Sequence, residues 1–132
     1  MHYLFESVFV GIYCLFIYYL LNKTTNNFLL LLFLTGFIKH SLGHFIGLHN
    51  YYCNYGHKCY NNYKKKDNTT IIKLTCESLL EGIIFISVGL LLTHFIDNKI
   101  YIIFIISIIL HLLAELFFIH EYFCKNRCII ID

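Results

Sequence analysis

A chain of 132 residues is short enough for one domain, read here as 1–132. It is 58% hydrophobic and only 14% charged, against roughly 45–50% and 25% in soluble domains. Its formal charge of +2 builds no basic surface, so nucleic acid is excluded as a partner.

Four apolar stretches follow in chain order. The first, Tyr3–Leu21, is interrupted by Glu6 alone; it lacks a basic n-region before it and a small-residue cleavage site after it, and reads as a retained span. The second is Phe28–Leu48, the third Ile71–Ile96 and the fourth Ile100–Phe123. Each is near the roughly 17–25 residues a helix needs to cross hydrocarbon. So short a chain has too little polar helix surface to wrap four helices that are apolar all round. The expected fold is all-α, a four-helix transmembrane bundle and a multi-pass integral membrane protein. The linkers at 22–27 and 97–99 are short and make neighbours antiparallel. They do not match in sequence, and no internal repeat is expected. The loop at 50–70 is longer and rich in Cys, Lys and Tyr.

Four crossings place both termini and that loop on one side. Lys58, Lys64, Lys65, Lys66, Lys73, Lys125 and Arg127 lie there, against Lys23 and Lys99 opposite. The positive-inside rule assigns the richer side to the cytoplasm, and a belt of tyrosines from Tyr51 to Tyr63, with Tyr122, marks the same boundary.

The ionisable residues inside the spans gather toward that side. His40 and His44, Glu77 and Glu81, and His111 and Glu115 are each four residues apart, so each pair shares a helix face. Charges at such depth are costly and must turn inward and pair. Imidazoles and carboxylates from facing helices are a ligand set for Fe, Zn or Mn. The expected metal residues are therefore His40, His44, Glu77, Glu81, His111 and Glu115. The chemistry would be oxidation with redox metals or hydrolysis by a zinc-activated water, with an oxidoreductase acting on a lipid-like molecule or a quinone as the first function. The alternative is a non-enzymatic structural or assembly protein, alone, as a homo-oligomer or with a membrane partner. There the polar cluster, including Lys39 paired with Glu77 or Glu81, locks the helices and no cofactor is needed. A proton- or ion-linked carrier is third. Glu6 and His94 lie near helix ends and can reach the interface, and His49 is either a ligand or a surface imidazole.

The stretch His40-Ser-Leu-Gly-His44 resembles the HxxxH motif of membrane fatty-acid and sterol hydroxylases and desaturases. The resemblance covers five residues and implies metal-dependent oxidation of a lipid; the HxxHH boxes of those families are absent. Cys53, Cys59, Cys124 and Cys128 share one side of the membrane. On a cytoplasmic face they are reduced thiols, free or forming a second metal or redox group; on the opposite face they can form two disulfides. The four-helix layout with loop cysteines also resembles quinone-linked thiol oxidases in architecture, without their CxxC.

Overall fold

The computed structural model describes residues 2–131. Four long helices dominate: α1 (Tyr3–Leu21), α2 (Phe28–Phe45), α4 (Ile71–Leu92) and α5 (Lys99–Leu116). All four are long and apolar enough to cross a membrane. Two short helices, α3 (Leu48–Tyr55) and α6 (Ile119–Asn126), follow α2 and α5. Strands β1 (Lys65–Asp67) and β2 (Cys128–Ile130) form an antiparallel pair, an element not expected from the sequence.

Each long helix starts at a side-chain cap. Asn27 accepts from the Leu30 amide, Thr70 from Lys73, and Asn98 from Ile100, satisfying amides that have no partner within a helix. The first helix ends at Leu21 as expected, but the other three end earlier than hydropathy suggests. The second span stops at Phe45 rather than Leu48, because Gly47 adopts the left-handed region at φ 87° and turns the chain into α3. The fourth breaks at Leu116, where Phe118 takes φ 61°, and α6 continues in a new direction. The third ends at Leu92, four residues before the Ile96 end expected.

The core joins α1, α2, α4 and α5 through Cys14, Tyr18, Leu31, Leu32, Phe85, Ile102, Ile103 and Ile106. Only 22–33% of the residues in each apolar window are buried. Phe5, Phe9, Ile12 and Phe16 leave one face of α1 exposed, and Ile72, Leu80 and Leu91 do so on α4. Exposed apolar area on this scale needs a covering other than water.

The chain does contain an internal repeat, contrary to the expectation from its linkers. An offset of 71 residues carries Glu6 to Glu77, Gly11 to Gly82, Asn27 to Asn98, His40 to His111, His49 to His120 and Cys53 to Cys124. It carries α2 onto α5 and α3 onto α6 at both ends. From Glu6 to Cys53, 14 of 48 positions are identical without a gap, and half of the others exchange one apolar residue for another. The contacts repeat as well, with the halves exchanged. α2 packs on α4 and α1 on α5. A Cβ on Gly11 would stand 2.7 Å from Phe104, and one on Gly82 would stand 2.7 Å from Phe33, which is the residue equivalent to Phe104.

These glycines set the helix spacing. A Cβ on Gly82 would also meet the Phe33 carbonyl oxygen at 2.9 Å, and one on Gly36 the Glu81 oxygen at 2.8 Å, so backbone must move. At Gly43 the nearest atom is 3.5 Å away, and the equivalent position holds Ala114. Gly82→Ala and Gly36→Ala should each destabilise by about 1–3 kcal/mol. Gly43→Ala should be neutral or gain up to about 1 kcal/mol from helix propensity. Thermal unfolding in mild detergent reads both.

Candidate metal centre and its charged surroundings

Where α2 and α4 reach the end of the bundle that carries the two short helices, six elements converge. From α2 come Lys39, His40 and His44; from α3, His49; from β1, Asp67; from α4, Glu77 and Glu81; and Arg127 sits between α6 and β2. Asp67, 5% exposed, is the hub. Arg127 donates from Nε to Oδ1 at 3.2 Å and from Nη2 to Oδ2 at 3.1 Å. His44 Nδ1 and His49 Nδ1 lie 3.2 and 3.3 Å from Oδ2. The Asp67 amide donates to Asn50 at 2.8 Å, and Asn54, one turn further along α3, brackets Lys65 through its amide and carbonyl. Two asparagines on one face of α3 thus position β1 and bring Asp67 under the histidines.

A second layer lies beneath. The Arg127 Nη1 reaches Glu77, Lys39 pairs with Glu81, and the His40 ring stands between them, 3.1 Å from Glu77 Oε2 and 2.8 Å from Glu81 Oε2. Glu77 and Glu81 are one helical turn apart, which is why one imidazole can touch both.

His44, His49 and Asp67 offer ligand atoms within 4.8 Å of one another. This is the group whose geometry can hold a metal ion, with two imidazoles and one carboxylate as donors. Of the six residues expected as ligands, only His44 belongs to it. His40, Glu77 and Glu81 sit alongside in ion pairs. His111 and Glu115 lie in the other half, beside Glu6, His57, Lys58 and His120. The single cluster expected is therefore two clusters.

The four loop and tail cysteines pair as Cys53–Cys128 and Cys59–Cys124. As disulfides they offer no thiolate to a metal. The equivalent residues Cys53 and Cys124 each take a partner from the other half. Together with Tyr52 and Phe123 they form a compact second core. Cys14 is buried and free, and Cys76 is exposed and free.

Electrostatics follow from this packing. Burial pushes the Asp67 carboxyl up, but the His49 hydrogen bond, the Arg127 charge and hydrogen bonds, and His44 together hold it down at about 2. Burial pushes the His49 imidazole below its usual range against the pull of Asp67, and His40 and Arg127 add to the depression. His120 is depressed for the same first reason, with Glu115 opposing.

Asp67, Arg127 and Glu6 were not among the residues expected to form a site. The missed signal was the repeat: His49 and His120 follow His40 and His111 at the same spacing, so either pair points to the other. Comparison with known protein families, curated proteins and solved structures finds no match to this chain.

The depressed histidines favour the folded state fully above pH 6.5, their unfolded value, and that advantage declines as pH falls toward their folded values. Asp67, at about 2 against 3.8 unfolded, contributes about 2 kcal/mol above pH ~4. It loses this as pH falls through about 2. Thermal unfolding measured from pH 7.5 downward should show two stages of loss, the first reduced in His49→Gln. Asp67→Asn should cost about 3–5 kcal/mol, because it leaves the Arg127 charge buried without its carboxylate.

Proposed function

We propose that this chain is an integral membrane protein with four spans that holds a divalent transition metal at His44, His49 and Asp67. The observation that carries the reading is the convergence of three donor atoms within 4.8 Å from three separate elements. Iron or manganese there would supply electron chemistry, and zinc an activated water. Its place at the end of the spans suits a quinone or a lipid headgroup as substrate. A second reading is favoured by Arg127, whose fork already neutralises Asp67 and reaches Glu77. In that reading the cluster is a lock between elements and no chemistry occurs.

Metal analysis by mass spectrometry decides between them, on protein purified in mild detergent without a metal-affinity tag. Near-stoichiometric iron, zinc or manganese that is lost in the double variant His44→Ala, His49→Ala supports the metal reading. Folded wild-type protein free of metal supports the lock, and the double variant should then only unfold at lower temperature.

The orientation belongs to the same proposal. Two disulfides join the loop and tail, and disulfides persist in oxidising compartments. We therefore place the termini and loop on the side away from the reducing cytosol, against the count of basic residues. Three of those residues have work within the fold: Lys58 faces Glu115, Lys65 donates to the Cys59 carbonyl and Arg127 is buried. A maleimide polymer added to denatured, unreduced protein from cells quenched with acid should modify two cysteines, Cys14 and Cys76, and all six after reduction. Modification of all six before reduction would return that face to the cytoplasm.

A further inference from the structure

The equivalent of the Asp67 and Glu77 network, on the α1–α5 side, leaves its buried carboxylate Glu6 without a Lys or Arg partner among the described residues. Glu6, in the first turn of α1, is 5% exposed. Its Oε1 accepts the His57 amide at 2.6 Å. Its Oε2 is buried and has no hydrogen-bond partner among the described residues, and the same holds for His111 Nε2, 3.5 Å away. Behind them stands His120, its ring 4.5 Å from that of His111, with Nδ1 2.9 Å from Glu115 Oε2. Glu115 Oε1 faces Lys58 Nζ at 3.5 Å and His57 Nε2 at 3.7 Å.

The repeat shows what the α2–α4 side has and this side lacks. Glu77, the equivalent of Glu6, receives Arg127; the position equivalent to Arg127 is Gly56. Lys39 pairs with Glu81; the equivalents are Leu110 and Val10. One half lays its own guanidinium and ammonium on its buried carboxylates. In the other, no Lys or Arg among the described residues pairs with Glu6, and a buried carboxylate oxygen faces a buried imidazole nitrogen with nothing between them. Leaving both unsatisfied is costly, and a cation between them satisfies both at once. The spacing suits this, because two ligands each about 2.0–2.2 Å from a tetrahedral zinc stand roughly 3.3–3.5 Å apart.

We infer that Glu6, His111 and His120 form a second divalent-metal site of the zinc type, sharing no ligand with His44, His49 and Asp67. Glu6 supplies Oε2 and His111 supplies Nε2, which already face each other at 3.5 Å. The three donors do not lie within 4.8 Å of one another without the ion, which draws in Nε2 of His120 while Glu115 holds its Nδ1. A carboxylate behind a ligating histidine fixes its tautomer and ring orientation, so Glu115 is a positioning residue. Three protein ligands leave one tetrahedral position open for water or an anionic ligand.

Cobalt(II), added to the metal-free full chain in detergent and followed by its visible absorption, tests the site. The background is the double variant His44→Ala, His49→Ala, which cannot load the first site. One equivalent of Co²⁺ with the intense bands of a tetrahedral ion is expected there. Glu115→Gln should weaken it 10–100-fold, and Glu6→Gln should abolish it. Formation of both disulfides, seen by non-reducing electrophoresis, checks each variant's fold, and His120→Gln replaces Glu6→Gln where the latter fails that check. No cobalt spectrum in the background, or unchanged affinity in Glu6→Gln and His120→Gln, would overturn the inference. Wild-type protein separates the two sites. One equivalent lost with His44 and His49 overturns this site alone, one lost with Glu6 overturns the first alone, and two equivalents support both. No uptake at all overturns both.

Discussion

The buried ion pair between Asp67 and Arg127 ties together parts of the chain that share no helix packing. Asp67 lies on the strand after the long loop, and Arg127 follows the last helix. Their forked contact joins β1 to β2's end of the chain, and the remaining donors bring in α2 and α3. The third arm of the guanidinium reaches α4. An ion pair of this kind adds little net stability compared with apolar packing, but breaking one partner is severe. Its role is to make one arrangement of the short helices, strands and tail much better than any other.

The disulfides act on the same region by a different route. They restrict the unfolded chain across sequence separations of 75 and 65 residues and so stabilise through the state that is not folded. Covalent links, strand pairing and the Asp67 hub thus all operate at one end of the bundle. At the opposite end, short turns at Asn22 and Thr93 and the caps at Asn27 and Asn98 suffice. The helices between them need only complementary glycines and aromatic rings.

Much of the helical framework was legible in the sequence. Hydropathy and length located four long helices to within a few residues at their starts, because the polar residues at 22–27, 61–70 and 97–99 give way abruptly to apolar runs. The ends were less legible. Gly47 and Phe118 turn the chain inside stretches that remain apolar, so hydropathy runs on past them. The pairing of charges was harder still. Lys39 and Glu81 were foreseeable from burial cost alone, whereas Asp67 comes from a loop with no periodicity. His57 and Arg127 reach their partners only because disulfides and two asparagines fold that loop back. The repeat is faint in the sequence because its apolar positions exchange Leu, Ile and Phe freely, and the linkers, where differences are easiest to see, diverge most.

A set of contacts that survives exchange of the two halves is what a symmetric pair of subunits displays, residue i meeting j and j meeting i. Here Gly11 and Phe104 match Gly82 and Phe33, and Glu6 and His111 match Glu77 and His40. The chain is built as a homodimer of helical hairpins would be, with both subunits carried on one polypeptide. A true homodimer must change both of its sites with every mutation. Fusion removes that constraint. One copy can take up an arginine and a lysine and become a fastener, while the other keeps its carboxylate and imidazole facing each other.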